Sequence, residues 1–220
     1  MHFSSVPKAC SMSISESPYR AMNQVLHKSN ALSNAYSPNI LDRVAEENPK
    51  VIEDLVPKLL PMAIVQKVFQ NLLRERVSIR DSVTILEALG EAGAVTKNPI
   101  LLTEFARQSI RRLVVKPYLN PSGELPAFFV DPQIEHAIEG AVEYHENNSN
   151  LNLAPQKIRD ILDRFTKTVG APDSPMAVVA SSSARYFLRQ LIEGTIPNLS
   201  ILSHSEIPSG VRVLSVGLIQ

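Results

Sequence analysis

From Pro38 onward, apolar residues recur at three- and four-residue intervals and polar ones fill the gaps, which is the pattern of amphipathic helices. Pro38 opens a helix carrying Ile40, Leu41, Val44 and Ala45 inward, and Asn48-Pro49 restarts it as N-cap plus first helical residue. Val51, Ile52, Leu55 and Val56 form the next apolar stripe before Pro57 and Pro61 interrupt it. From Met62 a stronger helix places Val65, Val68, Phe69, Leu72 and Leu73 on one face. Ser78 to Asp81 resembles a capping box for a helix that carries Ile79, Val83, Leu86 and Leu89 and ends at Gly90 to Gly93. Asn98-Pro99 begins one more, with Leu101, Leu102, Phe105 and Ile110 inward. Residues 39–118 are therefore expected to be an all-α subdomain.

The pattern changes after Pro117. Asn120-Pro121-Ser122-Gly123 is a turn signal, and Ala127 to Val130 is short, apolar and strand-like. Asp131-Pro132 and Pro155 each open a helix, with Asn147 to Asn150 as the loop between. Met176 to Ala180 reads as a buried strand, and Ser181-Ser182-Ser183 as the cap of a helix stopped by Gly194. Leu199–Ile207 and Val211–Ile219 read as two strands of a hairpin turning at Pro208-Ser209-Gly210. The order β-α-α-β-α-β-β describes a small α/β sandwich over 119–220, so the fold class is α+β overall, helical first.

Residues 1–38 break the pattern: Ser-rich, with Lys8, Arg20 and Lys28 against the single acid Glu16. This composition fits a poorly ordered tail, a transit-type targeting peptide, or a divergent remnant of an upstream domain. With 22 basic and 22 acidic side chains among 220 residues, the chain has no field for a phosphate backbone, which argues against nucleic acid as a partner. The lone Cys10 excludes an internal disulfide and a cysteine-based zinc site. No apolar run approaches the roughly 20 residues that span a bilayer. The expectation is a soluble, intracellular chain without metal or cofactor.

Common catalytic marks are missing: no Gly-x-Ser-x-Gly elbow, phosphate loop, His-Glu-x-x-His or Cys-x-x-Cys. Ser181 to Ser183 are explained by helix capping, Asp160 and Asp163 by a solvated face, and His136 and His204 by structural positions. No enzymatic activity is expected. The densest charged stretch is Arg74-Glu75-Arg76 with Arg80 and Asp81. These five residues either pair locally or form a contact with another protein, where arginine forks engage carboxylates.

Asn48 to Pro57, Val65 to Asp81 and Thr84 to Leu89 closely resemble three adjoining blocks of the bacterial flagellar and type III secretion export-gate family (FlhA-like), with Phe69 where leucine is usual. Leu199–Ile219 is similar to that family's closing strands. The resemblance implies the C-terminal cytoplasmic part of an export gate, the helical half corresponding to the third cytoplasmic subdomain and the α/β half to the fourth. It implies a non-enzymatic docking role in protein secretion and flagellum assembly, at the cytoplasmic face of the inner membrane. Its expected partners are copies of itself in a nonameric ring, export chaperones and their substrates, and the export ATPase complex. Membrane contact would run through an N-terminal region that this sequence does not contain. Arg74, Glu75, Arg76, Arg80 and Asp81 then become candidate subunit-interface residues. An injectisome gate, or a free-standing adaptor binding chaperones in trans, are the alternatives.

Overall fold

The computed structural model describes residues 55–146, 148–170 and 174–220. The expected tail 1–38 and the helices expected before Leu55 lie outside the described residues. Helix α1 (Met62–Arg74) buries Val65, Val68, Phe69 and Leu72, the stripe its periodicity predicts. It ends in a Schellman motif: Arg76 N–H donates to Leu73 O and Val77 N–H to Leu72 O, both at 2.9 Å. Arg76 occupies the left-handed position of that motif with φ 58°, where glycine is the usual residue.

That motif moves the next helix. α2 (Ser82–Gly93) starts four residues later than Ser78, because Asp81 is the N-cap and accepts from the Thr84 N–H at 3.4 Å. The expected Ser78 cap is corrected accordingly: the chain is still leaving the Schellman turn at that point. α3 (Pro99–Ser109) begins as expected, with Asn98 accepting from Ile100 N–H at 2.9 Å. A short α4 (Arg111–Val115) and a 3₁₀ turn (Lys116–Tyr118) lead out of the helical half.

The α/β half contains β1 (Leu125–Val130), α5 (Pro132–Glu139), β2 (Val142–Tyr144), β3 (Ser149–Leu151), α6 (Pro155–Val169), β4 (Met176–Ala180), α7 (Ser182–Ile192), β5 (Leu199–Ser203) and β6 (Val213–Ile219). One sheet has the order β5-β4-β1-β6, and all three pairings are parallel. β2 and β3 form a separate antiparallel pair where a helix end and a loop were expected.

The expected hairpin is not formed. β5 and β6 lie at opposite edges of the sheet, each parallel to its neighbour. β5 stops at Ser203 because Ser203 and Glu206 close a 3₁₀ turn, His204–Glu206, with a reciprocal capping box. Pro208-Ser209-Gly210, with Gly210 at φ 100°, turns the chain within a crossover instead. β6 slips one position against β1 after Ala127. Gly217 follows the slip and sits close under Phe128: a Cβ there would meet the ring at 3.1 Å, so the ring would have to yield by a few tenths of an ångström.

The sheet is covered on both faces, which is why β4 is a continuous apolar run. Ala177 and Val179, with Leu125, Ala127 and Leu202, pack on the helical half against residues such as Leu72, Leu86, Leu102 and Val114. Val178 and Ala180, with Phe128, Val130, Leu199 and Ile201, pack on α5, α6 and α7 through Ile134, Phe165, Phe187 and Leu188. The chain is thus α+β, in three layers, and one core continues from the helical half into the sheet across residues 118–124.

Candidate interaction site

The turn between α1 and α2 lies where the helical half meets α7. Arg74 is half-exposed and its Nε donates to Glu193 Oε2 at 3.1 Å, just past the end of α7. Arg76, Arg80 and Asp81 are exposed, Asp81 being also the cap of α2. Glu75 behaves differently. Its side chain turns inward and accepts from Arg185 Nη1 at 2.5 Å and Arg107 Nη1 at 2.9 Å.

Those two arginines are the centre of a buried ion cluster. Arg185 also donates to both carboxylate oxygens of Glu104, with Nε to Oε2 at 2.7 Å. Arg107 forks onto Glu206, with Nε to Oε1 at 2.6 Å and Nη2 to Oε2 at 2.9 Å. Arg185 and Glu206 are fully enclosed, and Arg107 and Glu104 nearly so. Burial alone would raise Glu75, but Arg185 and Arg107 outweigh it and hold its carboxyl below the usual range. Glu104 stays above its usual range, because burial exceeds what Arg185 returns and Glu206 adds repulsion. Burial works against the charge of Arg185, yet Glu104 and Glu75 push its proton affinity well above that of a free guanidinium.

Sequence reading did not single out Glu104, Arg107, Arg185 or Glu206. A signal was present in the helical positions. Arg107 sits on the stripe of Thr103, Ile110 and Val114, and Arg185 on that of Leu188 and Ile192, so each charge falls on an apolar face. A charge on such a face must find partners inside.

Ser181 caps α7 by accepting from the Ala184 N–H at 3.3 Å. The Ser181 and Ser183 hydroxyls both donate to Glu139 Oε1, at 2.6 and 2.5 Å. These bonds hold the Glu139 carboxyl below its usual range. Expected strand residue His204 lies in the 3₁₀ turn and stacks on Phe129 at 6.3 Å. His136 is exposed, with Nδ1 2.7 Å from the Pro132 carbonyl. Among the described residues, no group of three or more His, Cys, Asp or Glu side chains is placed to hold a metal. Nor is any described helix long and apolar enough to cross a membrane.

Residues 14–212 match the sequence profile of the FHIPEP family. The chain belongs to the FHIPEP family. The flagellar biosynthesis protein FlhA of Bacillus subtilis is 28% identical over 88% of this chain, and the low calcium response locus protein D of Yersinia pestis 30% identical over 74% of it. This FHIPEP chain spans 29% and 24% of the length of those two relatives. Among solved structures, the Chlamydia pneumoniae CdsV and CdsO protein complex matches with a TM-score of 0.76 at 25% identity, covering 93% of this chain and 61% of that one. The nonameric EPEC SctV-C matches with a TM-score of 0.75 at 24% identity, covering 89% and 61%, a likeness of fold. The five residues of the ion cluster, from Glu75 to Glu206, lie within the residues matched to the family, while the edge strand β6 lies just beyond them.

Proposed function

We propose that this chain is a non-enzymatic component of a type III protein export gate, serving flagellum assembly. It docks export proteins at the cytoplasmic face of the inner membrane and associates laterally with copies of itself. The observation that carries the reading is the family match over residues 14–212 together with the matching fold of a protein that is nonameric in its own structure. A neighbour seen in complex with CdsO supports a docking role toward a second protein, and the export ATPase complex, chaperones and substrates are the partners this reading assigns. The flagellar assignment rests on the Ile79-Arg80-Asp81 ending of the 65–81 block and on the FlhA relative.

Lateral contact falls to the exposed members of the charged turn, Arg74, Arg76, Arg80 and Asp81. Glu75 acts from inside, by fixing the turn through Arg107 and Arg185. Sedimentation velocity of the purified chain, from about 1 to 500 µM, tests this. Concentration-dependent assembly, weakened about tenfold by the charge reversal Arg80→Glu, is the expected result. A monomer at every concentration overturns lateral assembly, and capture of an export chaperone by that monomer moves the function to an adaptor acting in trans.

A further inference from the structure

Between the end of α1, the 3₁₀ turn after α4, and α7 lies a cavity of about 80 Å³. Three guanidinium groups line it, those of Arg76, Arg107 and Arg189, together with the hydroxyl-bearing Ser78, Tyr118 and Ser200. Arg107 is committed to Glu206 and Glu75, so it supplies field rather than free donors. Arg189 is not committed. It is 8% exposed, its Nη1 donates to the Leu199 carbonyl at 2.6 Å, and no carboxylate among the described residues lies within ion-pair distance.

The other nitrogens of Arg189 have no protein partner yet are not sealed off, since no buried side-chain nitrogen or oxygen among the described residues lacks a partner, so they stay open to a small molecule in solvent. Burial lowers the proton affinity of Arg189, and Glu75 and Glu193 offset this from longer range. Each of those carboxylates is held by other arginines, Glu75 by Arg185 and Arg107 and Glu193 by Arg74. Glu75 also borders the cavity, but its oxygens already accept two guanidinium groups.

The other donors converge on the same space. Tyr118 donates its hydroxyl proton to Ser200 Oγ at 2.6 Å, which leaves the Ser200 proton to be donated onward. Arg76 stands at the mouth and is brought there by the left-handed residue of the Schellman motif. A bulky residue held at φ 58° is a conformational cost that the turn does not require, since glycine would close it better.

We propose that this cavity is a binding site for a small oxyanion, a carboxylate or phosphate group held by Arg189 and Arg76 in the field of Arg107, with the Ser200 hydroxyl as a further donor. Room for several waters is also room for the about three to five heavy atoms of such a group. Planar and tetrahedral oxyanions both match arginine forks. The carboxylate source would be an acidic side chain or chain terminus of a bound protein; the phosphate source would be the free ion.

The test uses the whole chain and two probes, sodium phosphate and sodium acetate, at constant ionic strength. Binding is read from the Nε–Hε resonances of Arg76 and Arg189 and from melting temperature. Saturable shifts confined to these arginines are expected. Arg76→Gly is expected to weaken binding at least about tenfold while leaving the melting temperature unchanged or higher, because glycine accepts the left-handed conformation. Arg189→Gln is expected to weaken it as well; where that variant fails to fold, Arg76→Gly decides alone. A response to acetate well above that to phosphate assigns the site to a protein carboxylate, a response to phosphate alone assigns it to the free ion, and equal responses support an oxyanion site without preference. Absence of a saturable response to either, or unchanged binding by Arg76→Gly, overturns the proposal.

Discussion

Replacing Arg185 by Met keeps much of the apolar stem inside the protein and removes the charge at the centre of the ion cluster. Four hydrogen bonds go with it, two to Glu104 and two to Glu75. Charge-assisted bonds are worth about 1.5–3 kcal/mol each, but adding four of them would overstate the loss. Glu75 keeps Arg107 at 2.9 Å, and Glu206 keeps both of its bonds from the same residue. Only Glu104 loses its guanidinium partner entirely. The perturbation is thus one broken buried pair with a second weakened, for which about 3–5 kcal/mol is expected. That is a large share of the roughly 5–15 kcal/mol of a typical domain.

The pH dependence gives the sharper test. Without Arg185, Glu104 rises further above its unfolded value, and Glu75 loses the larger of the two charges that hold it down. A carboxyl raised in this way contributes stability that is present at low pH and lost as pH rises through its folded value. The deficit of the variant should therefore be full near neutrality and shrink toward the ordinary carboxylate range, where the orphaned groups take up protons. Urea unfolding of both proteins at about pH 7.5 and about pH 5 measures this. A loss under about 1 kcal/mol, or a deficit that is the same at both pH values, would show that the cluster does not carry buried charge as described.

Asn98→Ala removes the cap of α3 and the donor that reaches the His145 and Asn148 carbonyls and Ser149 Oγ at 2.7–2.8 Å. About 2–3 kcal/mol of stability should be lost, with faster amide exchange in β2 and β3; normal protection there would refute the latch. Glu139 is lowered by the Ser181 and Ser183 hydroxyls, so its contribution is present above the unfolded carboxyl value and lost as pH falls through the folded one. Glu139→Gln should flatten the acid limb of stability against pH, and an unaltered limb counts against that role.

The elements legible in the sequence were those set by a few adjacent residues. Asn98-Pro99, Asp131-Pro132, Pro155 and Ser181 each open a helix where read, because a side-chain cap or a proline at the first helical position acts within one turn. The Ser78 start failed through competition between two cap-competent residues, decided by the Schellman geometry at Glu75 to Val77. The β5–β6 hairpin failed because Pro208-Ser209-Gly210 marks a turn without saying which strands it joins. β2 and β3 carry only three residues each, too short for a period, and their position depends on Asn98 some fifty residues upstream. The charged turn was visible as a cluster, but not that Glu75 points inward while Arg74 and Arg76 remain outside.

That inward turn bears on how the two halves hold together. The helical half supplies Glu75, Glu104 and Arg107 to the cluster, and the α/β half supplies Arg185 and Glu206. Neither set satisfies itself: Arg185 would have only Glu206, at 3.7 Å, and Glu104 and Glu75 would share Arg107. The same separation would bare the sheet face formed by Leu125, Ala127, Ala177, Val179 and Leu202. Apolar burial alone is indifferent to small rotations of one half on the other, since it has no directional preference. Guanidinium forks are not, because their bonds weaken steeply with misalignment. The cluster therefore sets the angle between the halves, while the apolar core supplies most of the attraction. A cavity whose walls come from both halves, with Arg76 on one side and Arg189 and Ser200 on the other, can hold a fixed geometry only because that angle is fixed.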